Sequence, residues 1–309
     1  MNGGSLTRVL ADHETLRALI ESVRASSSTF ALSVEDDPEL LEPVEEPFTS
    51  VEDVRDRLGR LEARLVDNGD RRSVFLTVYT EMTDRTIRAI EAGTFHDAEW
   101  MRRYLIRFAE YYRRAFVSFQ RGAFEAVPDP WIVAFGAAVR GDTLVVQDAF
   151  LGINAHILYD LALTLTDVGI DPNRARKYTD HRRIDGILER LVGVQRELLA
   201  EQYAPGLSRI GTGMRGLDER WAGTGLRHAR EKAWRIAVVR TDARLGIIEA
   251  STERLLRRSA TGSAYLLLRP NVRPSAMEIL RDVEADRFDL ESYVRTFHER
   301  AAAEMAGDE

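Results

Sequence analysis

The chain contains no cysteine, which excludes disulfide bonds, thiolate nucleophiles and metal sites built from cysteine. Lysine is nearly missing as well, with Lys177 and Lys232 as its only occurrences. The rest of the 43 basic residues are arginines, and they are spread along the chain rather than gathered in one patch. Because phosphate binding requires clustered positive charge, this pattern and a formal net charge of -7 predict no nucleic-acid partner.

Long apolar runs are also missing, since none reaches the roughly 18 residues that a membrane-spanning helix needs. The amino terminus lacks the basic start and apolar centre of a secretory signal. We therefore expect a cytoplasmic protein without a membrane span. The 309 residues suffice for one large domain or two small ones.

Two regions are predicted from composition. Residues 1–50 are expected to hold an amphipathic helix at 5–24 and an acidic, proline-containing linker or surface loop around 35–46. Residues 51–309 are expected to form a single helical domain. The glycine-rich segment GTGMRG at 211–216 has the spacing of a dinucleotide-binding loop, but a predicted helix rather than a strand precedes it, so we interpret it as a loop.

Helical periodicity of apolar residues dominates from Val51 onward, and strand alternation is confined to the short segment AYLLL at 264–268. The fold class that this pattern predicts is all-α, a multi-helix bundle around a central buried helix at about 143–167. Helix N-caps are expected at Asp97, Asp142 and Asp180. The predicted helices are 51–67, 72–92, 97–120, 129–139, 143–167, 181–202, 226–259, 274–285 and 288–306.

The segment GINAHILYDLALTLTD, residues 152–167, places polar groups in an otherwise apolar helix. A helix that is apolar on every side is a buried one. Helical spacing puts His156, Asp160 and Asp167 on one face and Asn154 on the opposite side. Since buried polar groups must be hydrogen-bonded and buried charges must be paired or bound to a metal, this polar stripe requires partners.

Three interpretations of the polar stripe remain open. It is a structural network, a site where His156, Asp160 and Asp167 bind one divalent metal ion (zinc, manganese or iron), or an acid–base pair. The last two predict a hydrolase with a small-molecule substrate, and the first predicts a non-enzymatic helical binding or scaffold protein. No catalytic residue and no oligomeric state follow from the sequence. The candidate binding residues are Asn154, Tyr159, Asp180 and Arg230.

A second pair with the same spacing, His181 and Asp185, follows in the segment YTDHRRIDGILERL. Arg182 and Arg183 flank the histidine. We therefore interpret this pair mainly as part of the surface.

The central segment LGINAHILYDLALTL resembles the hallmark of a family of uncharacterised all-helical proteins, which reads Asn-Ala-His-Ile-Asn-Tyr-Asp-Leu. Leu158 stands where the hallmark has its second asparagine. The resemblance extends to PDPWIVAF, to the region of Asp180 and Asp185, and to AREKAWRIA, so it covers roughly residues 70–260. It implies an all-helical fold and no particular activity. The matching residues are Asn154, Ala155, His156, Ile157, Tyr159, Asp160 and Leu161.

The His-x-x-x-Asp spacing of His156 and Asp160 is also similar to a helix of the zinc-dependent phospholipase C and P1 nuclease group. That resemblance implies an all-α hydrolase with a cluster of three zinc ions. The six histidines of this chain are scattered, and the tryptophan ligand at the amino terminus is missing. The resemblance therefore implies a single metal ion at most.

Overall fold

The structure, a computed structural model, describes residues 13–24, 26–35, 37–210, 223–243, 246–270 and 272–306. All regular secondary structure in these residues is helical, which confirms the all-α prediction. The long helices are α1 (His13–Arg24), α2 (Val51–Asp67), α3 (Ser73–Glu91), α4 (Ala98–Gln120), α5 (Asp129–Arg140), α6 (Val145–Ala155), α7 (Leu161–Val168), α8 (Arg174–Ile210), α9 (Gly223–Ala243), α10 (Gly246–Leu268), α11 (Pro274–Arg287) and α12 (Leu290–Ala306).

The centre of the fold is a continuous helical rod, formed by α6, a π-helical turn at His156–Asp160 and α7. We call it the central rod. It packs against α3, α4, α5, α9 and α10, as expected for a helix that is apolar on every side. Among the described residues, Val145–Val168 is the one helix long and apolar enough to cross a membrane, but 89% of its apolar stretch is buried inside the protein. The residues that the structure describes therefore contain no clear membrane span.

The helix predictions were accurate where apolar periodicity was strong and inaccurate near interruptions. The predicted helix at 226–259 is two helices, α9 and α10, and α8 begins seven residues before the predicted start at residue 181. The segment at 264–268 is helical, so the suggestion of a strand was wrong. Residues 5–12 and 211–216, for which a helix and a loop were predicted, lie outside the described residues.

Of the three predicted N-caps, one is confirmed. The Asp97 carboxylate accepts the backbone N–H of Trp100 at 2.9 Å at the start of α4. Asp142 is exposed and lies 3.5 Å from Arg140, and the N-cap of α6 is Leu144 instead. Asp180 lies inside α8, where it cannot cap that helix.

The acidic segment around 35–46 is packed rather than extended. Asp37 caps a short helix, Pro38–Leu41, and a 3-10 turn follows at Glu42–Val44. The side chains of Leu40, Leu41 and Val44 are buried in the main core, where hydrophobic burial holds the segment in place. The prediction of a linker or surface loop was wrong because three apolar residues sit among the acids.

A buried ion-pair network holds the start of the central rod. The Arg71 guanidinium lies 2.7 Å from the Asp148 carboxylate and 2.9 Å from that of Glu284. Glu284 accepts the backbone N–H of Val145 at 2.9 Å. Burial raises the pKa of Asp148 to about 7, although Arg71 and Thr143 lower it in part.

This network predicts a pH dependence of stability. The pKa of Asp148 is higher in the folded chain than in the unfolded chain, so the folded state holds a proton that the unfolded state has lost. We expect the contribution of Asp148 to the free energy of unfolding to fall as pH rises from about 4 to about 7, by at most about 1.4 kcal/mol per pH unit. Urea titrations over this range should show the slope in the parent chain and a weaker slope in Asp148→Asn. An unchanged slope in Asp148→Asn would show that Asp148 does not hold the proton that distinguishes the folded from the unfolded chain.

The C-terminal helix α12 is held by His298. Its Nε2 lies 2.8 Å from the Glu62 carboxylate on α2, and its Nδ1 lies 3.3 Å from that of Glu81 on α3. The hydrogen bonds to Glu62 and then Glu81 raise the pKa of His298 to about 10.

Because the folded-state pKa of His298 is raised, the contacts of this side chain stabilise the fold fully below about pH 6.5, and this stabilisation is lost as pH rises towards 10. We expect His298→Gln to lower stability at pH 6 and to have a smaller effect at pH 10. Unfolding curves of both proteins at the two pH values provide the measurement. An equal loss at both values would show that the charge of His298 is not involved.

Candidate functional site

The predicted pair His156 and Asp160 lies at the two ends of the π-helical turn in the central rod. His156 Nδ1 and Asp160 Oδ2 are 2.9 Å apart, and the two side chains are only 3% and 1% exposed. A π-turn is uncommon and is frequent at functional sites. The structure thus brings the pair together in the interior, as the spacing indicated.

Aromatic rings enclose this pair. The imidazole of His156 lies flat on Phe108, with 3.5 Å between ring centroids, and edge-on to Tyr79 at 4.5 Å. The indole Nε1 of Trp131 donates to Asp160 Oδ2 at 2.9 Å. We call the five rings around His156 the aromatic enclosure; they are Phe75, Tyr79, Phe108, Tyr112 and Trp131.

Sequence reasoning missed Trp131 and Phe108 as members of the site. The segment PDPWIVAF was singled out, but only as part of a family resemblance. Helical spacing along α4 predicts Phe108 to be in the core without indicating its partner.

Burial favours the uncharged form of both groups. It lowers the pKa of His156 well below its usual value and raises that of Asp160 well above its usual value, and the hydrogen bond from Trp131 opposes the second shift only in part. The contact between His156 and Asp160 is therefore a hydrogen bond between neutral groups rather than an ion pair.

Several polar atoms at this site have no partner among the described residues. Two of these atoms belong to the π-turn, one belongs to the following helix α7, and one belongs to α4. A buried polar atom without a hydrogen bond costs about 1–3 kcal/mol and calls for a physical explanation. The four atoms are His156 Nε2, Asp160 Oδ1, Thr164 Oγ1 and Tyr112 Oη.

Asp167 does not join the other two predicted metal ligands. Its carboxylate accepts hydrogen bonds from Arg107 and from the hydroxyl of Tyr111, both at 2.7 Å, and its side chain is one third exposed. The prediction assumed a regular helix, whereas the π-turn adds a residue to one turn and rotates everything after it. Within the described ranges, no group of three or more His, Asp or Glu side chains is placed to hold a metal ion.

Asn154 and Tyr159 lie on the side of the rod that faces α10. The Asn154 amide donates to the carbonyl of Ala260 at 2.9 Å, and the Tyr159 hydroxyl lies 3.5 Å from the Glu253 carboxylate. Asn154 therefore points away from His156, as helical spacing indicated. Neither residue belongs to the aromatic enclosure.

The second pair is buried, so its interpretation as surface was wrong. His181 is completely buried and Asp185 is 5% exposed. Because successive helical residues point about 100° apart, Arg182 and Arg183 reach outward while His181 faces the interior. The neighbouring arginines were therefore a misleading signal.

His181 and Arg230 form a second buried network. His181 Nε2 contacts the carbonyl oxygen of Arg230 at 3.3 Å, so this nitrogen carries the hydrogen and Nδ1 accepts from the Tyr104 hydroxyl at 3.1 Å. Arg230 donates to Asp185 and to the His181 carbonyl, both at 2.6 Å. Burial, with the nearby charge of Arg230, lowers the pKa of His181 well below its usual value.

Asp180 has a structural role that its residue type did not reveal. Its carboxylate accepts the backbone N–H groups of His96 and Asp97, both at 2.8 Å, and pairs with Arg183 at 3.0 Å. It therefore anchors the start of α4 from the neighbouring α8. Of the four predicted binding residues, Arg230 alone lines a cavity described below.

Both histidine networks lie within the part of the chain that matches a protein family. The family of unknown function DUF5995 matches residues 51–270, more than two thirds of the chain. The chain belongs to the DUF5995 family. DUF5995 membership agrees with the resemblance noted in the sequence and carries no activity with it. The searches of curated proteins and of solved structures found no match.

Proposed function

We propose that this DUF5995 chain is a non-enzymatic helical binding protein, in which His156 and Asp160 form a structural polar network. The observation that carries the proposal is the position of the imidazole, which lies flat on Phe108 with Tyr79 at its edge. A general base or a metal ligand must meet substrate or water. Two rings in direct contact leave little room for either.

The charges support the same proposal. Burial favours the protonated form of the Asp160 carboxyl group, and a protonated carboxyl group accepts no further proton and is a weak metal ligand. The hydrogen bond from Trp131 on α5 to Asp160 on the central rod instead restricts how these helices can pack, since another packing would leave both groups without this bond. Cytoplasmic location and the absence of a nucleic-acid partner remain proposals that rest on composition.

A second candidate is a hydrolase that uses one metal ion or an acid–base pair at His156. The unpartnered Nε2 favours it, because a carboxyl group that holds Nδ1 leaves Nε2 available as a ligand or a base. The similarity to zinc-dependent phospholipase C and P1 nuclease belongs to this candidate. A metal ion at His156 would need further ligands beside Nε2. The described neighbours of the imidazole are aromatic rings, which do not supply such ligands.

Metal content separates the proposed function from the metal-dependent form of the second candidate. We expect zinc, manganese and iron to be far below one equivalent in the purified full chain. His156→Phe should fold, because a phenyl ring suits the aromatic surroundings, and should leave metal content unchanged. His298→Gln, at a half-exposed histidine elsewhere, is the control. About one equivalent of metal in the parent and in His298→Gln, lost in a folded His156→Phe, would overturn the proposal.

A further inference from the structure

A narrow cavity lies between α3, α4, α8 and α9. Its volume with its mouth is about 350 Å³, of which about 30 Å³ admits the centre of a water-sized molecule. Since one water needs roughly 10–15 Å³ by this measure, the cavity is small as it stands. Its apolar lining includes Met82, Met101, Leu105, Phe108 and Ile184.

Five side chains with a polar group line the same cavity, one of them charged: Tyr79, Thr83, Thr86, Tyr104 and Arg230. Arg230 is 1% exposed, which is rare for an arginine, and it connects the cavity to the buried network around His181. The cavity therefore combines a mainly apolar wall with one fully buried guanidinium.

The guanidinium of Arg230 belongs to a cluster of ion pairs that runs from the interior to the surface. Arg230 and Arg182 share the single carboxylate of Asp185, at 2.6 and 2.8 Å. Arg182 and Arg235 share that of Glu231, at 3.9 and 2.9 Å. Three guanidinium groups thus face two carboxylates. The side chains of Arg182 and Arg235 are 43% and 46% exposed, so water solvates the additional positive charge, whereas Arg230 and Asp185 form a buried pair.

We propose that this cavity binds a small monocarboxylate with an apolar tail, with the carboxylate at Arg230 and the tail among Met82, Met101 and Phe108. The inference rests on the proposed binding function and names its ligand class. A guanidinium matches the planar geometry of a carboxylate, and Arg230 is the one cationic side chain in the lining of this cavity. Methionine side chains are flexible, so Met82 and Met101 can rotate to enlarge the cavity for the tail.

Calorimetric titration of the full chain with butanoate, hexanoate and octanoate tests the proposal. We expect saturable binding with one ligand per chain, and affinity that rises with tail length until the cavity is full. Hexanamide has the same tail without the charge, so it should bind at least about tenfold more weakly than hexanoate. Equal binding of the two would overturn the assignment of Arg230, and no saturable binding of any carboxylate would overturn the site.

A pair of matched substitutions locates the ligand. Thr86 lines the cavity and its hydroxyl donates to the Met82 carbonyl one turn back, at 2.8 Å. Thr166 on α7 makes the same contact with Ala162, also at 2.8 Å, outside the cavity. Thr86→Ile fills the cavity and should weaken hexanoate at least about tenfold, whereas Thr166→Ile should bind as the parent does. Unchanged affinity in Thr86→Ile would place the ligand elsewhere.

Methyl NMR of the parent chain keeps the test decisive if Thr86→Ile does not fold. Hexanoate should shift the methyl signals of Met82 and Met101 and leave that of Met277, which is buried on α11, unchanged. Shifts at Met277 alone would overturn the proposal. The result of the carboxylate titrations does not depend on metal content. A bound metal that is lost in His156→Phe would refute the proposed function. A metal-free protein that binds no carboxylate would refute only the proposed carboxylate site in this cavity.

Discussion

Asp160→Ala is expected to lower the free energy of unfolding by about 4 kcal/mol. The substitution removes the acceptor of the Trp131 indole N–H and the partner of His156 Nδ1, and both contacts are buried at 2.9 Å. Each polar group left without a partner costs about 1–3 kcal/mol, and the missing atoms leave a cavity in the core. Denaturant unfolding followed by tryptophan fluorescence and by circular dichroism measures the loss.

Asp160→Asn is the matched control for this prediction. Its amide oxygen can accept from Trp131 and from His156 Nδ1–H, and it adds no buried charge. Since burial already favours a neutral Asp160, we expect Asp160→Asn to cost less than about 1.5 kcal/mol. If asparagine proved as damaging as alanine, the ionised carboxylate itself would be required, which would favour the hydrolase candidate.

Gly152→Ala is expected to lower the free energy of unfolding by about 3 kcal/mol, although alanine is the better helix former. A β-carbon at residue 152 would lie 2.5 Å from the β-carbon of Phe75 and closer still to its ring. Rotation of the Phe75 side chain cannot move its β-carbon, so α3 and α6 must separate. Phe75 also contacts His156, and the shift would loosen the aromatic enclosure.

Gly186→Ala provides the comparison for Gly152→Ala. Gly186 lies inside α8, and a β-carbon there would meet nothing within 4 Å. We expect this substitution to stabilise the chain by about 0.5–1 kcal/mol through helix propensity alone. The unfolding midpoints of the two variants should therefore move in opposite directions. A stabilised Gly152→Ala would mean that α3 and α6 do not approach so closely in solution.

Local periodicity was enough to predict the all-α class and the central rod, because α6 and α7 are apolar on every side. It was not enough to place Asp167, because one π-turn changes the rotation of every later residue. No composition or spacing signal for that turn was found in the sequence. The structure therefore does not bring Asp167 together with His156 and Asp160.

His181 shows a different limit. Its neighbours Arg182 and Arg183 suggested exposure, but the side that a helix buries depends on which helices pack against it. Here Tyr104 from α4 and Arg230 from α9 meet the histidine. Both partners are more than 45 residues away in sequence.

The amino-acid order alone determined that the chain is all-helical, that one apolar helix lies at its centre, and that His156 and Asp160 are neighbours, because these properties depend on residues a few positions apart. Only the tertiary structure decided that aromatic rings enclose that pair and that Arg230 lines a cavity with Tyr104. Those contacts join distant parts of the chain, and no short-range pattern encodes which helix faces meet.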